Sequence, residues 1–133
     1  MKQKINICQI IPTLGIGGAE SVVVNIANRT SKKFNQSIWY IGLKHDLRSE
    51  INSEVTVRSF DASTFLDFQS QLRMRKELGQ SKFDIIHAHL PRAQAIVRSA
   101  RADSKILSTH HNMPGLYGFP ERYMEFFTRP ADN

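Results

Sequence analysis

The chain has 133 residues, 41% hydrophobic and 23% charged, which is enough for one domain with a buried core and too few for two. Its single cysteine, Cys8, excludes an internal disulfide, and no run approaches the ~20 apolar residues that span a bilayer. The net charge of +6 favours anionic partners, but charge alone does not choose among nucleic acid, phosphorylated metabolites and acidic lipid.

A first strand is predicted from Lys4 to Ile11. Lys2 and Lys4 ahead of Ile5, Ile7, Ile10 and Ile11 imitate a signal peptide, but Asn6 and Gln9 interrupt the run, Pro12 ends it, and no small-residue cleavage site follows. The expectation is a cytoplasmic chain in which Cys8 is a small buried hydrophobe. A glycine-rich turn from Pro12 to Gly18 leads into a helix from Ala19 to Arg29, with Val22, Val23, Ile26 and Ala27 as its buried face. The second strand runs from Ser37 to Leu43, and a polar connection from Asp46 to Ser53 precedes a third, Glu54 to Phe60, with Val55 and Val57 on one face. Thr64 to Gly79 has a helical pattern, Gly79 standing where a C-cap glycine belongs. Phe83 to His89 is a fourth strand, Pro91 to Ala102 a helix with proline near its first turn, and Lys105 to His110 a fifth strand.

Short apolar runs alternating with amphipathic stretches specify an α/β domain: a Rossmann-like parallel sheet of about five strands with flanking helices. After Asn112 the periodicity fades. Pro114, Gly115, Gly118 and Pro120 punctuate a loop, and Tyr123 to Thr128 begins a helix with Tyr123, Phe126 and Phe127 on one face. A parallel sheet needs helices on both faces and a protected edge. The expectation is therefore a truncated chain, with residues 1–112 forming a partial domain and 113–133 an unfinished loop and helix of the same domain.

Three groups of residues can carry chemistry. Gly15, Gly17 and Gly18 lie between a strand and a helix, where glycine lets backbone approach a ligand and helix N–H groups favour phosphate. The dinucleotide fingerprint is incomplete, because Glu20 occupies the place of its third glycine, and the P-loop ending is absent. A tight turn needing glycine for its geometry alone is the competing reading. His87 and His89 share one face of the fourth strand. His87 reads as a hydrogen-bonded core histidine, while His89, at the carboxyl end with Leu90, Pro91 and Arg92 following, is the functional candidate. Ser108, Thr109, His110, His111 and Asn112 close the fifth strand, so His89 and His111 should meet at one rim. Without a second cysteine or a nearby carboxylate to complete a ligand set, no metal is expected. A general base, or a partner for a sugar hydroxyl, suits a neutral imidazole.

Two weaker features remain. Leu66, Phe68, Leu72 and Leu78 with Arg73, Arg75 and Lys76 form a basic amphipathic stretch compatible with an acidic membrane surface, though such a helix more often packs on a sheet. Trp39 and Tyr40 lie in an apolar strand and read as core, so no nucleic-acid platform is expected.

The run from Ile10 to Glu20, the run from Phe83 to His89, and Ser108 to Asn112 together resemble family-4 glycosyltransferases, over about Ile5 to Asn112. The resemblance implies the N-terminal, acceptor-side half of a retaining enzyme of GT-B fold, in which a second domain binds the nucleotide-sugar donor. It implies that Gly17 and Gly18 approach the donor diphosphate, that His89 lines the acceptor side, and that His111 is the catalytic residue beside the transferred sugar; Gly15, Arg92 and Asn112, next to these motifs, are further substrate-binding candidates. It implies no cofactor besides the donor, and a polysaccharide or lipid-linked acceptor. The donor domain and its paired-glutamate signature are not found in the sequence, so the chain is expected to be inactive alone, with a separate chain carrying the other half as one possible partner. Competing readings are another Rossmann-like sugar-nucleotide enzyme, such as an epimerase; a binding or scaffold module; and a remnant of a broken gene.

Overall fold

A computed structural model describes residues 3–111; Asn112 and the loop and helix expected between Pro114 and Thr128 lie outside the described residues. The elements in chain order are β1 (Asn6–Ile11), α1 (Gly18–Thr30), β2 (Asn35–Gly42), a 3-10 turn (Asp46–Glu50), β3 (Thr56–Ala62), α2 (Phe68–Gln80), β4 (Ile85–His89), α3 (Leu90–Ser99) and β5 (Lys105–Thr109). The strands form one parallel sheet in the order β3-β2-β1-β4-β5. This is the expected Rossmann-like arrangement. The order reverses between β1 and β4, the place where open α/β sheets bind ligands beyond the carboxyl ends of their strands.

Side chains alternate across β1 because successive Cβ atoms point to opposite faces. Cys8 and Ile10 join Trp39, Ile41, Phe60, Met74, Leu78 and Val97 in a core under α2 and α3. Ile11 joins Leu14, Val23, Val24, Ala27, Ile38 and Tyr40 under α1. Each large apolar side chain buried there contributes roughly 1.5–3 kcal/mol. Cys8 is fully buried, and burial pushes its thiol well above the usual range. Trp39 and Tyr40 are core, as expected, with Trp39 packed edge-on to Phe83 at 5.3 Å between ring centres.

Three details depart from the sequence-based expectation. The buried residues of α1 are Val23, Val24 and Ala27, while Val22 is 42% exposed. At about 100° per residue, Glu20, Val23, Val24 and Ala27 share one arc and Val22 falls outside it. The second helix starts at Phe68 rather than Thr64, because Asp67 caps it: the carboxylate accepts from Ser70 N at 3.1 Å and from Ser63 N at 3.2 Å. Gly79 is an interior residue of α2, not its C-cap, which is Ser81. Its glycine serves a close approach, since a Cβ there would lie 2.9 Å from the Ala100 carbonyl oxygen.

The amphipathic stretch packs on the sheet, but through Met74 and Leu78; Leu66, Phe68 and Leu72 remain exposed. Among the described residues no helix is long and apolar enough to cross a membrane.

β4 passes into α3 without a loop. Leu90 takes φ 70°, a left-handed conformation that costs an L-residue about 1–2 kcal/mol, and Pro91 sits in the first turn. The sharp bend places the carboxyl end of β4 directly beside the helix start.

Candidate functional site

The glycine-rich turn is pinned from beneath. Leu14 is fully buried; its N–H donates to the Lys44 carbonyl at 2.9 Å, and its carbonyl accepts from Leu47 N at 2.9 Å. Gly42 N donates to the Pro12 carbonyl at 2.8 Å. These bonds lift residues 15–18 above the carboxyl ends of β1 and β2 and leave Ile16 87% exposed at the tip.

Gly17 is the N-cap of α1 and supplies no side-chain cap, so the first-turn N–H groups keep their capacity to donate. Its φ of −171° is ordinary extended backbone. A Cβ there would displace the Glu20 carboxylate, the movable end of a flexible side chain, so glycine leaves that carboxylate its present place beside the turn. A Cβ on Gly18 would meet no atom within 4 Å. Glu20 also accepts from the Thr13 hydroxyl at 3.2 Å, and its charge acts on His111. The glycine turn follows β1 and His111 follows β5, so both lie at the carboxyl rim of the parallel sheet, and the Glu20 charge reaches His111 along it.

Gly15, Ile16 and Glu20 on one side, with Leu43, Lys44 and Arg48 on the other, help line an open cleft of about 980 Å³. The cleft lies on the β2 side of the turn, whereas the histidines lie on the β4 and β5 side. Glu20 borders both.

The histidines arise from strand register. β4 and β5 pair His87 with Leu107 and His89 with Thr109, so alternation puts His87, His89 and Thr109 on one face. The His87 ring nitrogen Nε2 bonds the Thr109 hydroxyl at 2.7 Å. His89 bonds His111 at 2.9 Å through Nδ1 and Gln9 at 2.9 Å through Nε2. His87 and His89 rings lie 3.9 Å apart, and His89 and His111 5.2 Å. Burial lowers all three histidines, because a desolvated imidazolium is disfavoured. His89, with no exposed surface, is pushed down to about 3 by burial and then by the neighbouring His87 and His111. At His111 the burial effect is opposed by the Glu20 carboxylate. At neutral pH these shifts leave the three rings uncharged.

The candidate residues thus separate into groups. Gly17, Gly18 and His111 stand on the rim and Gly15 in the adjoining cleft. His89 is beneath the rim and reaches it through His111. His87 is a hydrogen-bonded core histidine, as read from the strand pattern. Arg92 is 8% exposed; its guanidinium donates to the Thr64 and Phe65 carbonyls at 3.3 and 3.2 Å and lies over the Phe65 ring, so it ties α3 to the loop before α2. Asn112 lies outside the described residues. Among the described residues no three His, Cys, Asp or Glu side chains group to hold a metal ion.

Glu20 and Gln9 were missed from sequence, yet each carried a signal. Glu20 shares the helix arc of the buried valines, and Gln9 is an amide inside an apolar strand, where a polar group requires a partner.

The family model described as Glycosyltransferase Family 4 matches residues 16–133. No curated protein matches the chain.

Proposed function

The chain belongs to glycosyltransferase family 4, and from that premise we propose that its rim is the acceptor-side wall of a sugar-transfer cleft. The donor is a nucleotide-sugar, needing no further cofactor, and the acceptor is a polysaccharide or a lipid-linked sugar. The observation that supports this reading is that the glycine turn with Glu20 follows the carboxyl end of β1 and His111 that of β5, on the same rim of one parallel sheet, with the Glu20 charge reaching His111.

In this reading the amides at Gly17 and Gly18 approach the donor diphosphate, and the start of α1 stabilises the negative charge that develops as the diphosphate leaves. Glu20 already occupies part of that positive end, so diphosphate binding moves its carboxylate towards His111 or towards a sugar hydroxyl. His111 is the catalytic residue, accepting a proton or hydrogen bond at the transferred sugar. Gly15 and Ile16 receive the ligand in the cleft, and Asn112 extends the rim. His89 and Arg92 support the site from behind. No metal is assigned a role.

The resemblance of the motifs implies a second domain across the cleft. Residues 1–133 by themselves are therefore proposed to bind donor weakly without turnover, with a donor domain needed to complete the site. The test is a transfer assay with nucleoside diphosphate sugars, on the chain alone and mixed with such a domain. Turnover only in the mixture, reduced roughly 10²-fold or more by His111→Ala, supports the reading. Robust turnover by the chain alone refutes the proposed inactivity, and full activity of the mixture with His111→Ala refutes the catalytic assignment.

The exposed Phe68 and Leu72 of α2, at 64 and 57%, with Leu66 at 67% just before the helix and Arg75 and Lys76 further along it, favour peripheral contact with an acidic membrane at its cytoplasmic face. Arg73 contributes less, because it donates to the Phe60 carbonyl at 2.7 Å. Flotation with anionic vesicles that is unchanged by Phe68→Ser and Leu72→Ser would remove this part of the reading.

A further inference from the structure

Below His111 a line of polar side chains runs the height of the sheet, from the end of α1 to the carboxyl rim. The Thr30 hydroxyl donates to the Ile26 carbonyl at 2.6 Å. The Gln36 amide nitrogen donates to the Thr30 oxygen at 2.8 Å, and the Gln9 amide nitrogen to Gln36 Oε1 at 3.4 Å, the longest link. Gln9 Oε1 then faces His89 Nε2, and His89 Nδ1 faces His111 Nε2, both at 2.9 Å. Gln9, Gln36 and His89 are 2, 3 and 0% exposed.

The proton positions along this line follow from its first member. A backbone carbonyl only accepts, and a hydroxyl has one proton, so the Thr30 proton is committed to Ile26. Gln36 must then turn its NH₂ to Thr30 and its oxygen to Gln9. Gln9 in turn offers NH₂ to Gln36 and its oxygen to His89. A neutral imidazole carries one N–H; His89 places it on Nε2 to donate to Gln9, which leaves a lone pair on Nδ1. His111 must therefore donate from Nε2. Its Nδ1, on the other edge of the ring, keeps the lone pair.

We propose that Thr30, Gln36, Gln9 and His89 are positioning residues that hold His111 as the Nε2–H tautomer, so that Nδ1 of His111 is the atom that exchanges a proton with a ligand oxygen at the rim. The identity of that ligand rests on the sugar-transfer reading; the tautomer does not. Two properties follow. The bond from His111 Nε2 to His89 is the same whether His111 is neutral or protonated, so proton uptake at Nδ1 leaves the line intact. The line ends on a carbonyl, so no proton passes inward, and exchange is confined to the rim, where the Glu20 charge favours the imidazolium.

A leucine at position 9 would fill the core without needing a partner, but it would leave the buried His89 N–H unsatisfied, which is costly.

The test is nitrogen-15 NMR of the imidazole rings in the histidine-labelled chain without ligand. At neutral pH, His89 and His111 are expected as Nε2–H tautomers; finding His111 as Nδ1–H overturns the proposal. Gln9→Glu puts a carboxylate beside His89, drawing a second proton onto its Nδ1. His89 then donates to His111, which switches to Nδ1–H. An unchanged His111 tautomer beside a protonated His89 overturns the proposal. If that variant does not fold, Gln36→Leu frees the Gln9 amide to turn over, and mixed His111 tautomers are expected; a single unchanged tautomer counts against the line. Nucleotide-sugar that fails to bind while these tautomers are observed would refute the sugar-transfer reading and leave this inference standing.

Discussion

Acidification should destabilise this fold well before its carboxylates titrate. His89 has an ordinary value of 6.5 and is pushed down to about 3 in the folded chain. Below pH 6.5 the unfolded chain binds the proton and the native chain does not, so stability is complete above that pH and falls as pH drops towards the folded value. At about pH 5 the loss from His89 alone is roughly 2 kcal/mol, and the full interval sets a ceiling of roughly 5 kcal/mol. His87 and His111 are lowered as well and act in the same direction. For a domain stable by about 5–15 kcal/mol, this is a large fraction. The assay is urea unfolding followed by fluorescence of Trp39, the single tryptophan. With a slope on the order of 1–3 kcal/mol per molar urea, the midpoint should fall by roughly 1–2 M between neutral pH and about pH 5. Asp67 does not mimic the effect: the backbone N–H of Ser70 lowers it from 3.8, so its contribution is present above that pH and is lost only below it. His89→Gln should remove most of the slope between pH 5 and 6.5. A midpoint independent of pH in this window, or a full slope retained by His89→Gln, would refute the reasoning.

The helix face of α1 is tested by a pair of substitutions: Val24→Ala should cost about 1–2 kcal/mol of unfolding free energy, and Val22→Ala under about 0.5 kcal/mol. Glu20→Gln should lower the His111 pKa further, because the carboxylate favours the imidazolium; an NMR pH titration showing a rise would contradict the placement of Glu20. Gly18→Ala meets open space and should leave the urea midpoint unchanged or higher, while weakening nucleotide-sugar binding by obstructing the approach to the amides. Unchanged binding would remove Gly18 from the site.

The fold was legible because its signals are local and repeated. Apolar runs such as Ile38 to Ile41 and the amphipathic stretches between them specify parallel strands and covering helices, and the histidines of β4 fell on one face by alternation alone. The errors came where long-range packing decides. Gly79 resembles a cap in sequence, but the Ala100 carbonyl that explains it belongs to the C-cap of α3. Val22 and Val24 are chemically alike, and only the seating of α1 on the sheet separates them. In the site, His89 and His111 were expected to meet at a rim, and they bond each other. That His89 is enclosed, with its second nitrogen held by Gln9, depends on a contact across 80 residues that no spacing rule reveals. Gln9 interrupts an apolar strand in plain sight, but the partner that makes it useful is visible only in three dimensions.

Whether the glycine turn and His111 contact one ligand is measured most directly by two-dimensional NMR, titrating the labelled chain with a panel of nucleoside diphosphate sugars at millimolar concentration. The amides of Gly17, Gly18 and Glu20 and the ring of His111 should shift together along a single binding curve. Shifts confined to the glycine turn with His111 unmoved, or centred on the opposite edge around Asp84 and Lys105, would contradict a shared sugar-transfer rim.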